Sequence, residues 1–201
     1  MSNIVYTKIA TEATKDILCL TQNHCSGHIR LFFKQDDKHL ITILGHNEKY
    51  DNVTSFGGFA DPNETLLDTL LREYMEESLG AVTTEQMMKD LLLKECTIIH
   101  RKSNKGDHYT VFCIIDNISF DIKTIRTKFK HERSKPNLNS GQKENDDIVF
   151  VGLDTITNAF GENLSADVIV ENTERNKVTI RGINMPAYKW FADALEKSKD
   201  K

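Results

Sequence analysis

The stretch "SFGGFADPNETLLDTLLREYMEESLG", residues 55–80, constrains the chain more than any other. It opens on the pair Gly57-Gly58 and closes in a cluster of glutamates. Leu67, Leu70, Leu71 and Tyr74 follow the i, i+3, i+4, i+7 spacing of a helix with one buried face. Asp61-Pro62-Asn63 supplies turn and helix-start chemistry, and Gly80 is placed to end the helix. At about 100° per residue, Glu73, Glu76 and Glu77 point within about 100° of one another, beside the apolar stripe. Like charges so arranged repel by a few tenths of a kcal/mol per exposed pair. Two readings offset that repulsion. One is a solvated helix face screened by water and Arg72. The other is a hard divalent cation, which takes oxygen ligands and which a glycine turn lets a backbone carbonyl approach.

The spacing is also that of a family motif. Gly58 is followed by five residues and Glu64, then by seven residues and Arg72-Glu73-Tyr74-Met75-Glu76-Glu77. These six fixed positions resemble the catalytic box of the Nudix hydrolases. The pattern departs in two places. Gly80 stands three residues after Glu77 rather than two, and Tyr74 replaces a smaller aliphatic residue. Phe56 stands where proline is common, and "ENDDIVFVGLDTI" resembles the later segment in which an acidic loop precedes a strand. The resemblance implies an α/β fold, a Nudix-type α/β/α sandwich with a mixed β-sheet. It implies Mg²⁺ or Mn²⁺ held by Glu73, Glu76, Glu77 and the carbonyl of Gly58, with Glu73 or Glu76 acting on the attacking water. Arg72 would hold Glu73 or Glu64 by charge-assisted hydrogen bonds rather than touch substrate. Glu64 would support it or join an extra metal. The general base of such enzymes can lie outside the box. Glu144 is the candidate here, with Asp146 and Asp147 as alternates and a solvated loop acid as the competing reading.

The reaction so implied is attack of water on a nucleoside diphosphate linked to another moiety. Substrate choice lies outside the box. No proline occurs between Pro62 and Pro136, so the marker of ADP-ribose hydrolases is missing, and no coenzyme A or NADH marker is present. The basic group Lys123, Arg126, Lys128, Lys130, Arg133 and Lys135 is the remaining feature. Arg126, Lys128 and Lys130 are candidate phosphate contacts, which would suit a dinucleoside polyphosphate or a capped RNA. A solvated basic helix face is the alternative. RNA is an allowed partner, and a homodimer is left open. A catalytically silent nucleotide- or RNA-binding module is the rival of another class, though such a module has no need of all three glutamates.

Beyond the motif, β-rich runs at 29–33, 40–44 and 53–56, a hairpin with its turn at 103–107 and a strand in "IVFVGLDTI" with a following turn alternate with helical segments. A short element at 16–20, a helix at 84–93, a hairpin around 172–177 and a C-terminal helix opening near Pro186 complete the pattern. Residues 1–27 read as an N-terminal extension, and 121–147 as a helical fragment followed by a long polar loop. No repeat or linker divides residues 1–201, so one domain is expected. A net charge of −4 excludes generic polyanion binding, and no apolar run is long enough to span a bilayer. Four scattered cysteines and no leader pattern point to reduced thiols in the cytoplasm. Cys19, His24, Cys25 and His28 lack zinc spacing. Phe120, Phe129 and Trp190 are expected to pack rather than to stack on a base.

Overall fold

The computed structural model describes residues 5–8, 13–21, 26–34, 40–47, 49–94, 96–104, 106–115, 121–160, 165–169, 177–181 and 191–192. Two long β-runs appear where β-branched and aromatic residues concentrate: β2 (Ser26–Lys34) and β3 (Leu40–Asn47). The turn expected between them lies outside the described residues. β1 (Val5–Lys8) pairs antiparallel with β6 (Cys96–Ser103), so residues of the N-terminal extension add an edge strand to the sheet. β6 and β7 (Gly106–Ile115) form the expected hairpin, and β7 runs parallel to β2, from Ser26 beside His108 to Phe33 beside Ile115. β8 (Asp147–Gly152) pairs with β3; β9 (Ser165–Ile169) pairs with β10 (Lys177–Arg181), the expected C-terminal hairpin, whose turn is outside the described residues. Parallel and antiparallel pairs therefore share one mixed sheet.

The segment before the glutamate helix differs from expectation. The single strand expected over 53–56 and ended by the glycine pair is two strands, β4 (Asn52–Thr54) and β5 (Phe56–Phe59), with Gly57 and Gly58 inside the second. β4 pairs with β3 and with β10. After Ser55 the chain changes partner, and β5 pairs with the first half of β2, Ser26–Ile29. β3 takes the second half, Phe32–Lys34. The sheet thus splits beside β2.

Alternation along β2 sorts side chains onto two faces. Ile29, Leu31 and Phe33 join Ile43, Phe56, Val111, Cys113, Ile148 and Phe150 in one core. That core is covered by α1 (Thr14–Leu18), α2 (Leu66–Ser78), α3 (Glu85–Lys94) and α4 (Ile122–Arg133) through Leu18, Leu70, Met88 and Phe129. Phe32, Leu44, Val53, Phe112, Val149 and Val151 lie on the other face, covered by α5 (Leu153–Phe160) and Phe191. Helices on both faces of a mixed sheet make the expected α/β/α sandwich. Phe129 packs as expected; Phe120 and Trp190 lie outside the described residues, as does nearly all of the expected C-terminal helix.

Two further differences have clear causes. "LDTITNAF" forms helix α5 rather than a turn, because Leu153 and Ile156 bury on its inner side. Twelve residues of the polar region 121–147 form α4, capped by Asp121 accepting from Lys123 N–H, so the loop is shorter than expected. Cys19, Cys96 and Cys113 are free thiols, and Cys96 and Cys113 are cross-strand partners; Cys25 lies outside the described residues. Among the described residues no helix is long and apolar enough to cross a membrane.

Leu70 anchors α2 to the first core with no exposed surface. Leu70→Ala should cost about 3 kcal/mol, lowering the melting temperature by about 6–12 °C for a chain of this size. Denaturant unfolding checks this; a loss below about 1 kcal/mol would remove α2 from the core.

Candidate active site

α2 begins one residue later than its turn, at a capping box: Thr65 accepts from Asp68 N–H, and Asp68 accepts from Thr65 N–H. The preceding "ADPNE" turn places Asn63 at φ 69° and lets Asp61 N–H donate to Glu64 Oε2 at 2.9 Å. The helix ends through two left-handed residues, Leu79 at φ 54° and Gly80 at φ 60°. The extra residue in "SLG" is therefore absorbed after the last glutamate, and the helical positions of the acids are undisturbed.

The acids lie in the second half of α2. A helix C-terminus carries partial negative charge, and carboxylates there are disfavoured by about 0.3–1 kcal/mol each. The last turn of α2 holds no basic residue of its own. Arg72 answers from one turn below. Its Nε donates to Glu64 Oε1 at 2.7 Å, one terminal nitrogen donates to Glu73 Oε1 at 2.8 Å and Glu76 Oε2 at 3.3 Å, and the other donates to Glu64 Oε2 at 3.0 Å and the Phe59 carbonyl at 2.9 Å. Glu64 holds the guanidinium charged, and Arg72 holds the Glu64 carboxyl below its ordinary range.

Glu77 is only 6% exposed. Its Oε2 accepts from Gly57 N–H at 2.6 Å, tying α2 to β5. Burial pushes its carboxyl well above the ordinary value of 4.5; the Gly57 N–H opposes that, while Glu73 and Glu144 add to it as like charges. Glu73 is raised as well, chiefly by burial, with Glu76 and Glu144 adding to it and Arg72 opposing. The structure therefore brings Glu144 near Glu73 and Glu77.

The segment that delivers Glu144 is fastened at several points. Asn139 Nδ2 donates to Glu76 Oε1 at 3.1 Å, and Gly141 lies so close that a Cβ there would stand 2.9 Å from Glu76 Oε2. Arg133 Nε donates to the Asn145 carbonyl at 2.9 Å, Asn145 Nδ2 donates to the Glu77 carbonyl at 3.4 Å, and Asp146 Oδ1 bonds His46 Nδ1 at 2.6 Å. Asp147, the other alternate base, faces Arg126 at 2.6 Å. Asp146 and Asp147 are thus engaged in holding the loop, whereas Glu144 lies beside the acids. None of Asn139, Gly141, Asn145 or His46 is a candidate from sequence alone, since their role depends on the loop folding back onto α2.

The basic residues of α4 and of the residues just after it do not gather at the acids as one group. Arg126 faces Asp147, Lys128 Nζ donates to the Gly80 carbonyl at 2.7 Å, Lys135 pairs with Glu132, and Arg133 grips the loop. Lys123, Thr124, Thr127, Lys128 and His131 line an open groove along the outer side of α4. Among the described residues no three His, Cys, Asp or Glu groups already surround one ion-sized point; Arg72 draws Glu73 and Glu76 onto its guanidinium instead. His24 and Cys25 of the four considered for zinc lie outside the described residues.

Two consequences are measurable. A Cβ on Gly58 would stand 2.6 Å from Glu73 Cδ, at the mobile end of that side chain. Gly58→Ala should therefore fold with nearly wild-type melting temperature while turning Glu73 away; a large loss of stability would mean that the strand, not the carboxylate, needs the glycine. The second concerns pH. Between the ordinary value of 4.5 and its raised folded value, Glu77 keeps its proton in the folded chain and loses it in the unfolded one. This contribution to stability is complete below the unfolded value and is lost as pH rises through the folded one. In chelator, the melting temperature of Glu77→Gln should fall less between about pH 5 and about pH 8 than that of wild type; parallel curves would refute the burial argument.

A scan against family models finds no match, and neither does a comparison with curated proteins. Solved structures give weak likenesses. A C. elegans Ap4A hydrolase binary complex is 14% identical at a TM-score of 0.39, over 68% of this chain and 85% of that chain. Another structure of the C. elegans Ap4A hydrolase is 16% identical at 0.31, over 49% and 73%. A NUDIX hydrolase from Alicyclobacillus acidocaldarius is 13% identical at 0.36, over 69% and 83%.

Proposed function

We propose that the chain is a Nudix-type hydrolase that splits a nucleoside diphosphate linked to another moiety, by attack of water at phosphorus, with Mg²⁺ or Mn²⁺ bound at the acids. One observation carries this reading. Glu73, Glu76 and Glu77 lie in the last turns of one helix at its negative end, Gly58 lies against Glu73, Glu144 lies near Glu73 and Glu77, and Glu73 and Glu77 are pushed toward protonation. Folding does not favour such an arrangement by itself, and a hard cation relieves it. The donor set fits that cation: every candidate ligand is oxygen, and the missing side chain at Gly58 leaves room for Glu73.

Glu73, Glu76, Glu77 and the Gly58 carbonyl are the residues that would hold the ion. When bound, it neutralises phosphate oxygens and acidifies a water. Arg72 and Glu64 keep Glu73 and Glu76 oriented from below. Glu144 is the candidate to accept the proton of the attacking water, because it lies against the acids on a fastened but exposed loop. Glu73 or Glu76 is the alternative. The α4 cations support a capped-RNA substrate less well than a small nucleotide, since Arg126 and Lys128 are already bonded within the chain.

A panel of ADP-ribose, dinucleoside polyphosphates, NAD(H), nucleoside triphosphates and capped RNA, each with Mg²⁺ or Mn²⁺, tests the reading. At least one should be cleaved. Glu76→Gln and Glu77→Gln should each lower kcat by about 10²-fold or more with the fold intact. Cleavage of none, or wild-type rates in both variants, would overturn the proposal.

A further inference from the structure

Two thiols that the proposed reaction does not use face each other across the β6–β7 hairpin. Cys96 opens β6 and Cys113 lies near the end of β7, and the register sets them directly opposite each other. Opposed residues of antiparallel strands stand about 4.5 or about 5.5 Å apart at Cα, according to the pair type. Both values fall within the span of a disulfide, about 4.4–6.8 Å. Their Cβ atoms leave the same face about 4.5–5.5 Å apart, where a disulfide needs about 3.5–4.5 Å. A small approach of one strand end closes that gap. The start of β6 is the end that can move: β1 meets β6 over residues 99–102, so among the described strands β7 alone pairs with Cys96.

The two side chains are hydrogen-bonded to each other. Cys96 S–H donates to the Leu92 carbonyl at 3.2 Å, in the last turn of α3, where helix carbonyls lack an intrahelical donor. Cys113 S–H is therefore the donor between the thiols. That bond favours a thiolate at Cys96 and holds it below its ordinary range, while the same bond and burial push Cys113 well above. Exposure divides them in the same sense. Cys96 is half-buried and reaches solvent, whereas Cys113 has no exposed surface and packs in the first core. A dissolved oxidant meets one sulfur and not the other.

We propose that Cys96 and Cys113 form a redox-modification site, at which a peroxide converts the two thiols into a reversible cross-strand disulfide. The Cys96 thiolate attacks one peroxide oxygen, the O–O bond breaks, and hydroxide leaves, giving a sulfenic acid at Cys96. The Cys113 sulfur then attacks the Cys96 sulfur. The S–O bond breaks, and the hydroxyl leaves as water with the proton of Cys113. The two thiols give up two electrons in all, and the peroxide is reduced to two waters. The S–S bond replaces the S–H that Cys96 donates to the Leu92 carbonyl, so oxidation is felt at the end of α3.

Hydrogen peroxide added to the reduced, folded full chain tests this, with the remaining thiols alkylated in denaturant and the non-reduced chain mapped by mass spectrometry. Alkylation should be lost at Cys96 and Cys113 together, their peptides should be found linked, and dithiothreitol should restore both thiols. In Cys113→Ser, Cys96 should instead stop at the sulfenic acid, captured by dimedone, which wild type does not accumulate. Cys96 and Cys113 both still alkylated after peroxide, Cys96 oxidised without a link to Cys113, or Cys96 linked to Cys19 or Cys25 would each overturn the proposal. If Cys113→Ser fails to fold in a thermal scan, Cys113→Ala carries the dimedone arm, and the wild-type map decides by itself in either case. The outcome is independent of whether any nucleotide is cleaved.

Discussion

Crowding of like charge at the C-terminal half of α2 is the constraint around which the rest of the molecule is arranged. Three glutamates on one helical face, and a fourth delivered from a loop, repel each other where the helix dipole also opposes them. One guanidinium, Arg72, reaches Glu64, Glu73 and Glu76 together and takes up part of that repulsion. Glu77 is stabilised from the other side by a backbone N–H of β5. The remaining excess of negative charge is what the proposed divalent cation would offset.

Holding those acids requires the split in the sheet. Because the chain changes partner at Ser55, β5 packs against the start of β2 and presents its glycine pair directly under α2. Gly57 gives its N–H to Glu77, and Gly58 gives space to Glu73. Gly57 also lies against His28 of β2.

Much of this was legible in the residues themselves. The helix, its buried stripe and the shared face of Glu73, Glu76 and Glu77 follow from helical periodicity, and the bonds of Arg72 to Glu64 and Glu73 are those the resemblance to the family motif implies. The strands at β2, β3, β6 and β7 announce themselves by β-branched and aromatic content. What depends on long-range pairing was not legible. Nothing local at Ser55 signals a change of partner. Leu153 and Ile156 look like residues of a turn until a sheet face is there to bury them. The basic residues of α4 form one cluster in sequence, but tertiary contacts divide them among Asp147, the Gly80 carbonyl and the Asn145 carbonyl. Cys96 and Cys113 look scattered in the sequence, and only the hairpin register sets them opposite each other.

The central claim is that the acids of α2 form a divalent-cation site, and Mn²⁺ binding followed by electron paramagnetic resonance tests it most directly. The account predicts saturable Mn²⁺ binding that Mg²⁺ displaces and that Glu73→Gln and Glu76→Gln each weaken at least about tenfold, while Lys128→Gln leaves it unchanged. Mn²⁺ binding of equal strength in wild type and in both glutamate variants would contradict it.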